Sequence, residues 1–273
     1  MIRWLRWVAI ILILAVFLYS GYRVLDYLLE TKEADDVVSA YQDLAVRPVP
    51  TETTAPSDVE QEEKPGFTLS LDPVERGEMA PIAVDFRLLQ NESDDFVAWL
   101  YSPDTPINYP VLQGENNDTY LHHLPNGKYN FAGSLFLDSA CAGDFSSPCS
   151  VIHGHNMKND TMFGSLPDYE EQEYYEAHSV LYLITPKHSY RVDLIAGFVT
   201  PWDGYVYEWE DYCADLQTSI PLFKEKSDFV SDVTAEPGDR LLILSTCTYD
   251  FYEARYVLMG KLTEIESAPL PET

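Results

Sequence analysis

The sequence has few positively charged residues. Its 273 residues include 17 Lys and Arg against 45 Asp and Glu, which gives a formal net charge of -28 at pH 7. Proteins that bind nucleic acid present a basic surface to the phosphate backbone. The composition therefore excludes a nucleic-acid partner and favours a well-solvated acidic domain.

Cysteine is also scarce, with 4 residues in the whole chain. Cys141 and Cys149 flank a turn-like loop and are a candidate disulfide outside the cell, although the sequence does not fix the distance between their Cα atoms. Cys213 is predicted to be a semi-buried structural thiol. Cys247 would then remain reduced and available for chemistry.

Long apolar runs are absent after the N-terminus, where residues 7–19 form one that residues 20–22 extend. This run is short for a spanning helix, which needs about 20 residues, but Arg6 and Arg23 can snorkel at its ends. No small-x-small cleavage site follows, so residues 1–23 are predicted to be an uncleaved transmembrane signal anchor rather than a signal peptide. The early arginines predict a single-pass protein with a cytoplasmic N-terminus and an extracellular remainder.

Residues 24–80 are predicted to be a juxtamembrane helix followed by an acidic, flexible stalk. Apolar residues recur at helical spacing as far as residue 45. Residues 48–66 are rich in Pro, Thr and Glu, and bury too little apolar surface to fold. The stalk would hold a domain away from the membrane.

Residues 81–266 are predicted to be a mainly β domain, followed by a polar tail at 267–273. Short apolar strands alternate with Gly- and Pro-containing turns, which is typical of a closed antiparallel β-barrel with helical additions. Strands are predicted at 96–101, 109–113, 133–138, 150–153, 179–185, 190–201 and on both sides of the segment 248–254, and helices at 84–91, 168–177, 211–220 and 221–232.

The segment 241–262 reads as strand, loop, strand, with Cys247 at the end of the first strand and Arg255 at the start of the second. If the two strands pair antiparallel, Cys247 and Arg255 lie opposite each other on one face. A fixed guanidinium favours a neighbouring thiolate, which is the nucleophilic form of cysteine. The pair is therefore a candidate for nucleophilic catalysis.

A candidate acid and base follows another apolar strand, in the turn His153, Gly154, His155 and Asn156. A histidine at one strand end can meet a cysteine at another strand end although the two are far apart in sequence. A zinc site is the alternative, built from these histidines with His122 and His123. No third ligand type has recognisable spacing, so neither a metal nor another cofactor is predicted.

The segments H-G-H-N-M and L-S-T-C-T-Y…R resemble those of the sortases, the cysteine transpeptidases of Gram-positive surfaces, and most closely class B. The resemblance spans about residues 86–262 and includes Y-P-V-L-Q and G-S-L-F-L-D in the same order. One departure is His153, where class B members usually carry an aromatic residue. The family pattern assigns the catalytic role to His155, which precedes Asn156.

The resemblance implies a thioacyl transfer in which Cys247 attacks a Thr carbonyl of a sorting motif, His155 moves protons, and Arg255 stabilises the oxyanion. The backbone N–H of Thr248 is expected to be a second oxyanion donor. Helices on the N-terminal side would pack on the barrel, and an insertion at 202–233, before the Cys strand, would form a wall of the substrate groove. The groove residues implied by the family are Asn117, Thr200, Tyr205 and Ser245.

The implied partners are surface proteins that carry the sorting motif and an amine acceptor from peptidoglycan or a pilin subunit. Two other classes of function stay open at the level of sequence. A secreted cysteine protease or a metal hydrolase would hydrolyse peptides whether or not an amine is added. A catalytically inactive interaction module would not depend on Cys247.

Overall fold

A closed barrel of eight strands encloses the apolar core. The computed structural model describes residues 2–49, 78–201, 213–248 and 250–270. The strands are β1 Val46–Pro48, β2 Ile82–Val84, β3 Phe96–Tyr101, β4 Asn108–Leu112, β5 Leu135–Leu137, β6 Cys149–His153, β7 Val180–Ile184, β8 Ser189–Pro201, β9 Arg240–Cys247 and β10 Ala254–Ile265. The helices are α1 Ile2–Ala45, α2 Phe86–Gln90, α3 Gln172–Ala177, α4 Leu216–Lys226 and a 3-10 helix at Leu166–Glu170.

The barrel closes in the order β10-β8-β7-β3-β4-β5-β6-β9. Most neighbours are antiparallel, and the predicted closed barrel is confirmed. Two pairings, β4 with β5 and β6 with β9, are parallel instead. Parallel neighbours cannot be joined by a tight turn and need a long crossover. The chain of 22 residues between β4 and β5 meets that need, and so does the much longer stretch between β6 and β9, which includes β7 and β8.

Strand β9 is apolar at successive positions because both of its faces are buried. Leu242 and Leu244 point into the main core, whereas Leu241 and Ile243 belong to a second apolar cluster. Helix α4 contributes Phe223 to that second cluster. A strand covered on both faces has no polar side to alternate with, which explains the unbroken apolar run before Cys247.

Helix α4 lies within the predicted insertion, of which residues 213–233 are described. Asp215 is its N-cap and accepts a hydrogen bond from the Thr218 N–H at 3.3 Å. The predicted break between residues 220 and 221 is wrong, because α4 runs across it. Residues 213–214 are also helical, and the break falls at Asp215 instead. Pro221 lies inside the helix.

Helices α2 and α3 are shorter than predicted. Strand β2 takes the residues before Asp85, and Asp85 then caps α2 by accepting from the Arg87 N–H at 3.1 Å. The second predicted helix, at 168–177, divides at Glu171, which is extended with φ -96° and ψ 124°. The first part is the 3-10 helix and the second part is α3.

Helix α1 covers both the predicted anchor and the predicted juxtamembrane helix without a break. Its exposed N-terminal part is long and apolar enough to cross a membrane by length and composition. Its C-terminal part packs on the barrel, where Ala34, Val38, Tyr41 and Ala45 are buried.

The ends of the predicted stalk are both fixed to the domain. Strand β1, directly after α1, pairs antiparallel with β2, and Val46 lies opposite Val84. The Val49 N–H also donates to the Pro81 carbonyl at 2.9 Å. Val49 and Pro81 are therefore held next to each other on the domain, and residues 50–77 lie outside the described residues.

The disulfide joins Cys149 to Cys213, with the Cα atoms 6.1 Å apart. The predicted pairing of Cys141 with Cys149, and the predicted free thiol at Cys213, are wrong. Both bonded residues belong to the apolar cluster between the barrel and α4, which brings them together across a sequence separation of 64. Cys141 is a half-buried free thiol, and its Sγ lies 3.7 Å from the Cys149 carbonyl.

We expect removal of this disulfide to destabilise the domain. A cross-link over 64 residues restricts the unfolded chain, and its loss typically costs about 2–4 kcal/mol. Urea unfolding of a Cys149→Ser/Cys213→Ser variant should show this loss. Cys141→Ser is the matched control and should lose much less. Equal midpoints for the double variant and the parent would contradict the assignment.

Candidate active site

One end of the barrel, here called the upper rim, collects the ends of β6, β8 and β9 and the start of β10. Strands β6 and β9 run parallel and therefore end on the same side, where His153 lies opposite Ser245. Arg255 of β10 lies opposite Cys247 on one side and Thr200 on the other. The upper rim thus holds the predicted nucleophile, the predicted guanidinium and the strand that leads to His155.

The β9–β10 hairpin pairs Cys247 directly with Arg255, as the sequence predicts. Both residues are half-buried. The Arg255 Nη1 donates to the Ala254 carbonyl at 3.0 Å. This bond uses one of the five N–H donors of a guanidinium.

Three hydrogen bonds attach the segment that carries His155 to the end of β9. The Gly154 N–H donates to the Ser245 carbonyl at 3.2 Å, and the Thr246 hydroxyl donates to the Gly154 carbonyl at 2.8 Å. The Asn156 side-chain amide donates to the Cys247 carbonyl at 2.8 Å. The residues on both sides of His155 are therefore bonded to successive residues of the Cys strand.

Gly154 is required here by close packing. A Cβ at this position would lie 2.4 Å from Leu135 Cδ2 and 2.7 Å from Phe163 Cδ2, much closer than carbon atoms can approach. The absence of a side chain lets the turn lie against these two residues and keeps His155 near β9.

The imidazole of His155 is half-buried and hydrogen-bonded. Its Nε2 lies 2.8 Å from the Leu121 carbonyl, and its ring stacks on His122 with centroids 5.8 Å apart. Burial lowers the pKa of His155, and the charges of His122 and Arg255 lower it further, while the Leu121 carbonyl opposes the shift. The neutral tautomer that fits has its proton on Nε2, which leaves Nδ1 as an acceptor.

This lowered pKa predicts a specific loss of stability in acid. The unfolded imidazole has a pKa of about 6.5, so between that value and the folded pKa the unfolded chain binds more protons. Stability is lost as pH falls through this window and levels off below the folded pKa. Urea unfolding at several pH values should show that acidification lowers the free energy of unfolding less in His155→Gln than in the parent. The difference should be about 1.4 kcal/mol for each pH unit by which the folded pKa lies below the unfolded one. Identical pH profiles would contradict the burial of the imidazole.

His153 has different partners from His155. Its Nε2 lies 3.0 Å from Asp138 Oδ2, and its ring packs against Phe136 at 5.2 Å. Burial would raise the pKa of the Asp138 carboxyl, but hydrogen bonds from His153, the Ala140 N–H and Asn117 hold it below its usual range. The His153 imidazole is therefore directed to the Asp138 carboxylate at this end of the barrel.

The predicted groove residues have varied environments. Thr200 and Ser245 are buried, at 3% exposure each. Asn117 is exposed and holds the loop after β5: its amide donates to Asp138 at 2.9 Å and accepts from the Ser139 N–H at 2.8 Å. Tyr205 lies outside the described residues.

The Thr248 N–H, predicted as a second oxyanion donor, has another use in this structure. It donates to the Ala254 carbonyl at 3.0 Å and closes the β9–β10 loop. The donor is occupied by this bond here, and its role as an oxyanion donor stays a prediction. The Thr248 hydroxyl donates to the carboxylate of Asp250 in the same loop.

The contacts of three groups near the imidazole were not predicted from the sequence. Asn156 stands next to His155 in the quoted motif, and only the pattern itself signalled it. The Leu121 carbonyl and the His122 ring come from a loop far from the motif, and a backbone acceptor has no sequence signature. The fold alone brings them together.

A closed barrel with a thiol, an imidazole and a guanidinium at one rim is the arrangement expected of a cysteine enzyme for acyl transfer. A family model described as Sortase domain matches residues 100–263. Sortase B of Listeria monocytogenes is 30% identical over 255 residues, covering 92% of this chain and 94% of the relative. The chain belongs to the sortase family of cysteine transpeptidases, and these relatives are of class B.

Solved structures agree with this assignment. Sortase B of B. anthracis has a TM-score of 0.65 at 25% identity, covering 87% of this chain and 99% of that one. Sortase B complexed with triglycine has a TM-score of 0.59 at 29% identity, covering 66% of this chain and 85% of that one. The family makes the enzyme a transpeptidase, rather than a metal hydrolase or an inactive interaction module.

Proposed function

We propose that this protein is a membrane-anchored sortase that cleaves a sorting motif after Thr and joins the new carboxyl end to an amine. The observation that carries the proposal is the upper rim, where Cys247 lies opposite Arg255 and the His155 segment is bonded to β9. The proposed nucleophile, proton carrier and oxyanion donor are Cys247, His155 and Arg255.

In the first half-reaction the Cys247 thiolate attacks the Thr carbonyl carbon. The carbon–sulfur bond forms and the carbon–nitrogen bond breaks. His155, which takes up the thiol proton when the thiolate forms, gives that proton to the departing amine. In the second half-reaction an incoming amine attacks the thioester carbonyl, His155 takes its proton, and the thiolate leaves. A neutral imidazole with Nδ1 free suits the second step, and the low pKa of His155 favours that form.

Arg255 is suited to the negative charge that develops on the carbonyl oxygen. The guanidinium offers fixed, charged donors in a partly desolvated position, where such hydrogen bonds are stronger than in water. Lys in its place would be a point charge without the planar fork. Thr200 and Ser245, next to Arg255 and Cys247, are proposed to contact the substrate together with Asn117 and Tyr205.

The acceptor is proposed to be a primary amine with little steric bulk, as in a peptidoglycan cross-bridge or a pilin lysine. One sortase B relative is described as complexed with triglycine, which presents such an amine. The surface protein that carries the motif is the acyl donor. Helix α1 would be the single membrane span, with its N-terminus in the cytoplasm and the barrel outside.

A peptide-library screen tests the function. The protein is incubated with candidate motif peptides, with and without triglycine, and the products are identified by mass spectrometry. A sortase is expected to give a ligated product whose yield rises with triglycine. Hydrolysis that is unaffected by triglycine would favour the cysteine protease instead.

Asn156 is proposed to be a positioning residue, and Asn156→Ala should reduce turnover by about tenfold. The change removes the amide that holds the Cys247 carbonyl at 2.8 Å, and small misplacements of reacting groups carry large rate penalties. Asn159→Ala is the matched control, since Asn159 is exposed in the same loop and contacts Thr161 instead. The effect should fall on kcat rather than KM. Equal turnover in both variants would refute the role of Asn156.

A further inference from the structure

Helix α1 first meets the barrel at the upper rim. Tyr27 stacks on Phe131 with ring centroids 5.1 Å apart, and the Asn130 side chain donates to the Glu30 carbonyl at 2.9 Å. Tyr27 and Phe131 also line one cavity with Asn156. Asn156 is the residue that binds the Cys247 carbonyl. The membrane-proximal turns of α1 are thus joined to the end of the barrel that holds the thiol.

The path from the apolar span to these contacts is short and helical. Helix α1 continues without a break from Ile2 to Ala45. At about 1.5 Å per residue, Tyr27 lies about 6 Å beyond Arg23, and Glu30 about 10 Å beyond it. The upper rim therefore lies on the order of 10–20 Å from the end of the proposed span.

Apolar side chains on α1 continue past Arg23. Leu25, Leu28 and Leu29 are exposed at 56%, 56% and 59%. Exposed leucines in successive turns next to a spanning segment fit the apolar edge of the headgroup region, where they would be covered. They place the start of the domain at the surface of the bilayer.

The predicted stalk cannot set this distance. Its two ends are paired through β1 and β2 on the domain, and α1 reaches the barrel before β1 begins. The part of the chain that lies between membrane and barrel is α1 itself. The later turns of α1 fix the helix further, since Gln42 donates to the Asn108 carbonyl at 2.7 Å and the Asp85 N–H donates to the Ala45 carbonyl at 2.9 Å.

We propose that α1 is a rigid strut that holds the upper rim against the bilayer, so that the enzyme acts on a peptide attached to the same membrane by a short tether. This inference rests on the proposed function and on the use of α1 as the membrane span. The net charge of -28 disfavours an approach to an anionic membrane without such a strut.

The experiment raises the barrel by a known amount. An 18-residue helical insert between Asp26 and Tyr27 adds five full turns, or about 27 Å, and keeps the face of the helix in register. An 11-residue insert adds about three turns, or about 16 Å. The full-length proteins are placed in phosphatidylcholine vesicles with the peptide chosen by the library screen, supplied free, on a short lipid tether, or on a long one.

The parent should cleave all three forms. The 18-residue variant should cleave the free and long-tethered peptides normally but lose at least about tenfold on the short tether, and the 11-residue variant should lie between. A matched control carries the same 18 residues between Glu60 and Gln61, and it should behave as the parent does. If the 11- and 18-residue variants cleave the short-tethered peptide at the parental rate, the proposal that α1 acts as a strut is wrong.

The readout is the rate of cleavage of the short-tethered peptide divided by that of the free peptide. A variant that is partly unfolded lowers both rates alike and leaves this ratio unchanged. If only the Glu60–Gln61 insertion lowers the ratio, segment 50–77 sets the height and the proposal is wrong. If the parent fails to cleave the free peptide as well, the proposed function fails, and that outcome is distinct from failure of the strut.

Discussion

Cys247→Ala is expected to abolish both cleavage and transfer of the sorting-motif peptide, with a loss of at least about 10⁴-fold in kcat/KM. Cys247 supplies the sulfur of the thioacyl bond at the upper rim, and covalent catalysis cannot be replaced by binding alone. The fold should survive, because Cys247 is half-buried at a strand end and takes no part in the disulfide. Cleavage assays and circular dichroism of the full-length variant measure the two effects.

Cys141→Ala is the matched control for this prediction. Cys141 is the other free thiol of the chain. It lies beside the carbonyl of Cys149, which begins β6, whereas His153 ends that strand. Its replacement should leave turnover near the parental value. Activity that survives in Cys247→Ala and disappears in Cys141→Ala would show that the wrong thiol has been assigned.

His155→Ala should reduce kcat/KM by about 10²–10⁴-fold, the range that is typical for loss of a general acid and base. The imidazole is the group that would carry protons in both half-reactions, and its ring is fixed by Leu121 and His122. A single-turnover assay with the motif peptide separates acylation from transfer. Both steps should slow.

His153→Ala provides the comparison, because the two histidines are separated by a single glycine. His153 is bound to Asp138 at 3.0 Å, so its loss leaves a half-buried carboxylate without its partner and should lower stability more than turnover. If His153→Ala is inactive and His155→Ala retains turnover, the roles assigned to the two histidines are reversed.

The hairpin of Cys247 and Arg255 could be predicted from the sequence because the relevant information is local. Apolar runs on either side of a short polar segment specify two strands and a loop, and antiparallel pairing then fixes which residues face each other. The closed barrel could also be predicted, because the many short strands are recognisable locally and closing the sheet removes its unpaired edges.

Long-range relations were harder to predict. The bond from Cys149 to Cys213 spans 64 residues and depends on where α4 packs, whereas Cys141 and Cys149 were paired on proximity in sequence. The stalk at 48–66 stays a prediction, made from composition, which carries no information on the pairing of Val46 with Val84. A three-residue strand beside a polar segment gives almost no periodic signal.

The most direct test is intact-mass and peptide-mapping spectrometry of the protein after incubation with the motif peptide and no acceptor. We predict a thioester adduct whose mass equals the peptide up to and including its Thr, attached to the fragment that contains Cys247, and its release by triglycine as a ligated peptide. An adduct on Cys141, or cleavage of the peptide with no adduct and no response to triglycine, would contradict the account.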